Sequence, residues 1–292
     1  MDWKERLMGL ANNRVLGSTA ILRDSYDAVL EALDSGADLE DIALHVARLL
    51  HSHPTMAVLI NFFHRFFNAL ENDKEVRMLW KELDRETQEN AKLASSLIPS
   101  KGKVVLYSHS LSLLKALEEG EKRNITVILS ESRPYYEGRL MAEKLVDMGY
   151  KVEFTYDAFL PVMVEKSEIV LIGSDAITSQ GVINRAGSFS LALAAKQFKK
   201  PFFVIGHTSK VLYGHLSSYF SVYRENGEKL NAPKGSKPIG DVFDLTPWKI
   251  VSAVIINSMI VSPKDIPFKQ IKTSSLLHRA YQVLKDEIKS KN

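Results

Sequence analysis

The spacing of apolar residues divides the chain into two parts near residue 100. Before that point, apolar positions recur with helical spacing, as in residues 42–50, which follow Asp38 as a helix cap. The segment from Thr55 to Ala69 is apolar nearly all round, which predicts a buried helix. A longer amphipathic helix follows and ends before Pro99. Residues 1–100 therefore predict an all-helical N-terminal domain.

After Lys101 the pattern changes to short apolar runs separated by helical stretches of roughly 10–15 residues. This alternation is typical of a parallel sheet, and it predicts an α/β protein with a Rossmann-like parallel-sheet domain over residues 101–292. Thr246-Pro247 indicates a helix start, and a basic amphipathic helix from about Thr273 ends the chain. The apolar runs are Lys103–Tyr107, Ile125–Leu129, Lys151–Tyr156, Ile169–Gly173, Pro201–Ile205 and Val254–Val261.

Composition narrows the range of functions. With 38 basic and 35 acidic residues, the net charge of the 292-residue chain is +3, which is too weak for us to expect nucleic acid as a direct partner. We expect neither a membrane span nor a signal peptide, and hence a cytoplasmic protein. The chain contains no cysteine, which excludes disulfides, thiolate metal sites and cysteine nucleophiles. The scattered histidines favour no metal site, and no cofactor is expected.

Polar side chains follow the predicted strands at the edge where open parallel sheets bind ligands. The hydroxyl, carboxylate and basic groups there suit a phosphorylated or polyhydroxylated ligand. The candidates are Ser108, His109, Ser110 and Ser112 after the first strand, Glu131 and Arg133 after the second, Asp175, Asn184 and Arg185 after the fourth, and Lys210 after the fifth.

Structural alternatives stand beside these assignments. The serines between residues 108 and 112 would equally cap the next helix, and Glu131 with Arg133 would equally form an ion pair at a turn. Neither a P-loop motif nor a G-x-G-x-x-G motif follows the first strand. A nucleotide hydrolase or an NAD enzyme is therefore disfavoured despite the predicted sheet.

The strand exits resemble one superfamily over nearly the whole chain. It contains the α, β and δ regulatory subunits of eukaryotic initiation factor 2B with their archaeal relatives, and two isomerases, of ribose 1,5-bisphosphate and of 5-methylthioribose 1-phosphate. The resemblance implies two domains and dimerisation through the α/β domain. It lies in Ser108-His109-Ser110-Leu111-Ser112, Glu131-Ser132-Arg133-Pro134 with Gly138, Gly173-Ser174-Asp175 through Gly187, and Phe243-Asp244-Leu245-Thr246-Pro247.

The chain departs from the isomerase branch at several positions. Those enzymes resemble each other in using a cysteine in the first strand-exit motif and an aspartate in the Gly-x-Asp motif. Asp175 matches the aspartate, but Ser110 stands at the cysteine position. A thiol can be tuned toward neutrality, whereas a serine hydroxyl needs a dedicated base. His53 replaces the usual arginine before Pro54, and residues 256–259 lack the expected glutamate and glycine.

The resemblance therefore favours a non-catalytic regulatory protein like the initiation factor 2B subunits. It would bind initiation factor 2 or a relative, sense a small phosphorylated metabolite at the strand exits, and form a homodimer or a larger assembly. The alternative is a sugar-phosphate aldose–ketose isomerase that lacks the usual cysteine, with Asp175 and Ser110 as its catalytic residues. A third possibility is a purely structural partner subunit.

Overall fold

A computed structural model of the chain describes residues 2–13, 16–72, 75–120, 124–213, 216, 219–221, 233–266, 268 and 272–291. The chain forms two compact units. The helical unit comprises Met1–Leu83, Ser209–Ser221 and Phe268–Asn292, and the sheet unit comprises Asp84–Thr208 and Val222–Pro267. The expected division into domains of residues 1–100 and 101–292 stays a prediction. Within the described ranges, no helix combines the length and the apolar character needed to cross a membrane.

The α-helices of the described part of the chain follow the predicted order. They are α1 (Trp3–Asn12), α2 (Ser18–Asp34), α3 (Leu39–Ser52), α4 (Ala57–Leu70), α5 (Arg77–Leu97), α6 (Leu111–Glu118), α7 (Glu137–Asp147), α8 (Leu160–Met163), α9 (Ser188–Gln197) and α10 (Ser275–Lys291).

Helix α4 forms the core of the helical unit. Its four phenylalanines, Phe62, Phe63, Phe66 and Phe67, are fully or almost fully buried, which confirms the predicted buried helix. Helix α3 begins where it was predicted, because the Asp38 carboxylate accepts a hydrogen bond from the Asp41 backbone amide. The predicted C-terminal helix is α10, which packs against α3 and α4.

The sheet unit is built on seven strands in the order β10-β9-β7-β4-β1-β2-β3. Neighbouring strands are parallel except for the antiparallel pair β9 and β10. The strands of the described chain are β1 (Lys101–Tyr107), β2 (Asn124–Ser130), β3 (Lys151–Thr155), β4 (Ile169–Ile172), β5 (Ala176–Ile177), β6 (Gly181–Arg185), β7 (Phe202–Ile205), β8 (Phe243–Pro247), β9 (Ala253–Ile256) and β10 (Met259–Val261).

The strand order places a topological switch point between β1 and β4. The chain runs outward from β1 through β2 to β3, and then crosses to β4 on the other side of β1. All four residues of β4 and the last four of β1 are buried, as expected for central parallel strands covered on both faces. The predicted α/β fold with a Rossmann-like parallel sheet is thus confirmed. Such a switch point is where open α/β sheets bind ligands, beyond the carboxyl ends of the strands.

A small antiparallel sheet, β5-β6-β8, was not predicted. Residues 181–187 were treated as part of a strand-exit loop, but Gly181–Arg185 pair with β8. The interpretation of Thr246-Pro247 as a helix start was wrong, because both residues end β8 and the buried Thr246 pairs with Val182. The apolar run over residues 254–261 is also two strands, joined by Asn257 and Ser258 with φ of 52° and 58°.

Gly138 allows helix α7 to start against strand β2. A Cβ at this position would lie 1.8 Å from the carbonyl oxygen of Ser130, which is backbone and cannot move aside. We predict that Gly138→Ala lowers the free energy of unfolding by about 3 kcal/mol, because overpacking against backbone forces a shift of the chain. Urea unfolding followed by circular dichroism measures the change.

The matched control is Gly9→Ala in helix α1, where no atom lies within 4 Å of the added Cβ. This variant should be as stable as the wild type or more stable by about 0.5–1 kcal/mol, since alanine favours helix over glycine. Equal stabilities for the two variants would contradict the close approach at Gly138.

Candidate functional site

The exits of β1 and β4 meet at the switch point. Gly173 follows β4 directly, and a Cβ there would lie 2.8 Å from the Oγ of Ser110, which follows β1. Ser110 caps helix α6, since its Oγ accepts a hydrogen bond of 3.4 Å from the Leu113 backbone amide. Ser110 therefore has the helix-capping role that the sequence offered as an alternative to ligand binding. Ser112 lies in the first turn of α6, and Ser108 is buried with a φ of 62°.

Asp157, which follows β3, organises the exit of β2. Its Oδ1 accepts hydrogen bonds from the Ser130 hydroxyl at 2.6 Å and the Ser132 amide at 2.8 Å, and its Oδ2 accepts one from the Arg133 amide at 2.8 Å. These bonds hold Ser132 at a φ of 57°. This backbone conformation is energetically unfavourable for any residue that has a side chain. This role of Asp157 was not predicted from the sequence, although β3 and β2 are neighbours and their exits share one edge.

Glu131 pairs with Arg139, so the Glu131–Arg133 ion pair considered above is not formed. Arg133 is exposed, and its guanidinium lies 5.2 Å from the centre of the Tyr136 ring. The guanidinium of Arg139 lies 5.3 Å from the centre of the same ring. The second strand exit therefore presents a stacked group of two arginines and one tyrosine on its surface.

Arg185, at the end of β6, forms a buried ion pair with Glu137. The Arg185 Nη2 lies 2.5 Å from Glu137 Oε1, and the two side chains are 17% and 9% exposed. Burial raises the pKa of Glu137, and the nearby Arg185 cation opposes that rise only in part. The Arg185 guanidinium also stacks on Phe243, 4.7 Å from the ring centre. Arg185 is thus already neutralised by a residue that sequence reasoning did not single out.

Asn184 and Asp244 hold the start of helix α9. The Asn184 amide donates to the Ser188 hydroxyl at 2.9 Å, and Asp244 accepts from the backbone amides of Gly187 at 2.7 Å and Phe189 at 3.1 Å. Gly187 has a φ of 117°, and a Cβ there would lie 2.4 Å from the Tyr107 hydroxyl. Asn184, a predicted ligand-binding residue, is therefore engaged within the chain.

The remaining predicted residues differ in their surroundings. Burial, with a smaller effect of the Lys144 cation, lowers the pKa of His109, so this side chain is neutral at pH 7. The backbone amide of Asp175 donates a hydrogen bond of 2.8 Å to the Ile183 carbonyl, at the start of the small sheet. Lys210 belongs to the helical unit, whereas the other predicted site residues belong to the sheet unit.

Among the described residues, no group of three or more His, Asp or Glu side chains is arranged to hold a metal ion.

Glu86 of helix α5 is a further residue that the sequence analysis missed. Its Oε1 accepts hydrogen bonds of 2.9 Å from the amides of Thr208 and Asn257, and its Oε2 lies 3.1 Å from the His207 Nε2. Glu86 thus joins α5 to the exits of β7 and β9. The amphipathic pattern of α5 placed its charges on the surface, and spacing alone gave no signal for this one.

Burial raises the pKa of Asp244 to about 6, against an ordinary value of 3.8 and in spite of its two amide partners. The folded protein therefore binds a proton here that the unfolded chain releases, and this contribution to stability is lost as the pH rises from about 4 through 6. We predict that the free energy of unfolding of the wild type, minus that of Asp244→Asn, falls by on the order of 2 kcal/mol between pH 4 and pH 7.

Asp41→Asn serves as the control with opposite sign, because the hydrogen bond from Lys4 lowers the pKa of Asp41. In this pair the wild type should gain stability relative to the variant as the pH rises through the acidic range. A rising difference for Asp244 as well would show that its amide hydrogen bonds outweigh burial.

Comparison with known proteins places this chain in a family. The sequence pattern of the Initiation factor 2 subunit family, IF-2B, matches residues 14–263. A putative translation initiation factor eIF-2B subunit 2-like protein of Pyrococcus furiosus is 28% identical over 88% of this chain and 95% of its own length. A ribose 1,5-bisphosphate isomerase of Archaeoglobus fulgidus is 25% identical over 86% of each chain.

Solved structures agree with the sequence comparison. The crystal structure of the translation initiation factor eIF-2B of Pyrococcus horikoshii OT3 superposes with a TM-score of 0.77, at 27% identity, over 91% of this chain and 98% of that one. Relatives of both kinds, initiation factor and isomerase, match over most of their length. The chain belongs to the initiation factor 2 subunit family.

Proposed function

We propose that this protein is a non-catalytic regulatory subunit of the initiation factor 2B type. It acts in the cytoplasm, binds initiation factor 2 or a relative, and takes a small phosphorylated metabolite at the strand exits. The observation that carries the proposal is the use of Ser110 as a helix cap. The similarity to the Pyrococcus furiosus protein over 95% of that relative supports the same assignment.

The position of Ser110 argues against isomerase chemistry. The resemblance puts a cysteine at this position in the isomerases, and this chain has no cysteine. The Ser110 Oγ accepts from the Leu113 amide and lies against Gly173. A thiol ionises near pH 8.5 and is readily tuned, whereas a hydroxyl acts in proton transfer only with an adjacent base. A cap that stabilises α6 is the role this geometry supports.

An apolar face on the sheet unit supports self-association. Phe159 and Val162 near α8, and Phe189 and Leu193 on α9, are each between 39% and 48% exposed, and the two helices are in contact. Residues 158–163 and 186–195 contain no charged side chain. A two-fold contact sets each face against its own copy, so a face without charge avoids like-charge repulsion. We therefore assign this face to a second copy of the chain.

Binding of purified initiation factor 2 tests the central part of the proposal. At micromolar concentrations and low salt, biolayer interferometry should give saturable binding, and the complex should elute as one species from a sizing column. The absence of binding under these conditions would overturn the regulatory assignment.

The second candidate function is a sugar-phosphate isomerase, which is favoured by Asp175 and by the isomerase relative. We predict no ketose product when the protein is incubated with ribose 1,5-bisphosphate or 5-methylthioribose 1-phosphate and followed by NMR. Turnover that Asp175→Asn abolishes would instead establish the isomerase.

Leu193→Glu tests the apolar face. A buried, unpaired carboxylate on each side of a two-fold contact should weaken the dimer at least tenfold, because two like charges would be desolvated together. Analytical ultracentrifugation measures the shift toward monomer. Val283→Glu on α10 is the matched control, since Val283 is a 51% exposed apolar residue outside this face. A dimer unaffected by Leu193→Glu would contradict the assignment.

A further inference from the structure

Two glutamate–arginine pairs lie at the strand exits, and they differ in burial. In the Glu131–Arg139 pair the arginine is 56% exposed, so water and salt screen it. The Glu137–Arg185 pair is buried, with both side chains less than a fifth exposed. Such a pair is held in low dielectric, and breaking it costs far more than breaking a surface pair. An anion that binds Arg185 must therefore replace the Glu137 carboxylate as its partner.

The Glu137 carboxylate is held mainly by its ion pair with Arg185. Arg185 Nη2 lies 2.5 Å from Oε1, yet neither carboxylate oxygen accepts an aligned hydrogen bond from another described residue. Guanidinium groups bind phosphate and carboxylate oxygens through the same two-pronged geometry. A ligand phosphate and the Glu137 carboxylate are therefore competitors for one cation.

Carboxylates from neighbouring strand exits also act on Glu137. Asp175 and Asp157 each act on it as like charges, from the exits of β4 and β3. The carboxylates of Glu137 and of Asp244 on β8 both act on the buried hydroxyl of Tyr107 on β1. Removing Arg185 from Glu137 would leave that carboxylate buried among like charges, where the protonated form is favoured.

We propose that Glu137 is a built-in counter-anion, which a phosphate or sulfate group displaces from Arg185 while Glu137 takes up one proton from solvent. The step is balanced: the Arg185 ion pair with Glu137 is exchanged for one with the ligand, and the displaced carboxylate becomes a neutral acid. Anion binding at this site is then coupled to proton uptake. This inference deepens the ligand part of the proposed function and rests on it.

The coupling has a definite sign. The raised pKa of Glu137 means that burial already favours its protonated form, and Arg185 is what opposes this. Lowering the pH supplies the proton that displacement requires, so anion affinity rises as the pH falls, by at most about tenfold per pH unit for one proton. A site made of free arginines would show no such dependence.

Sulfate is the probe, because it stays a dianion between pH 6 and pH 8 while phosphate itself titrates there. Isothermal titration calorimetry on the full chain should show sulfate binding about tenfold tighter at pH 6 than at pH 8. Repeating the titration in two buffers of different ionisation enthalpy should show uptake of up to one proton per sulfate. Proton uptake indistinguishable from zero at both pH values overturns the proposal without any variant.

Glu137→Gln should bind sulfate at pH 8 as tightly as the wild type does at pH 6, with a flat pH profile. Arg185→Gln should bind weakly at both pH values. Glu153→Gln, which removes the carboxylate of the partly exposed Lys103–Glu153 ion pair away from the strand exits, is the matched control and should keep the wild-type profile. Unchanged sulfate affinity and slope in Glu137→Gln would overturn the proposal.

The variant Glu137→Gln leaves Arg185 buried without its carboxylate partner and is expected to lose stability. The unfolding temperature therefore serves as a second measurement. Sulfate should raise the unfolding temperature of this variant more than that of the wild type at pH 8, since bound anion stabilises the folded state. An equal or smaller rise contradicts displacement. Failure of all sulfate binding overturns this inference alone, because the binding of initiation factor 2 is measured separately.

Discussion

The strand-exit site depends on the hydrogen bonds that the Asp157 carboxylate accepts. The carboxylate accepts three hydrogen bonds from the exit of β2, and two of these come from the backbone of Ser132 and Arg133. They fix a turn that the chain would otherwise avoid, because Ser132 and Tyr136 both have positive φ. The same turn leads from the exposed Arg133 to the buried Glu137, so the residue that follows β3 helps to position both.

Charge at the site is arranged in layers. The surface holds Arg133 and Arg139 around one tyrosine ring, and the interior holds Arg185 with Glu137. The carboxylates of Asp175 and Asp157 also act on this interior pair, and burial raises the pKa of Glu137 and Asp244. A site of this kind suits recognition of an anion that must compete for its arginine. The Ser110 Oγ is engaged as the cap of helix α6, which agrees with the proposed regulatory role.

The main sheet could be predicted from the sequence, whereas the contacts between the strand exits could not. Buried parallel strands are short apolar runs, so their existence and order of appearance were evident. The small sheet was missed because β5 has two residues and β8 contains Thr246-Pro247, which also suits a helix start. Asp157 and Glu86 were missed because their partners lie far away in sequence, and spacing along one segment carries no information on such pairs.

The central claim is that Glu137 is the internal partner of Arg185 and yields that place to an anion. Carbon-13 NMR of the Glu137 carboxyl, titrated in the wild-type protein with and without sulfate, observes this group directly. We expect the Glu137 pKa to lie above the ordinary 4.5 in the free protein and to rise further when sulfate is bound. A pKa at or below 4.5 that sulfate leaves unchanged would contradict this claim.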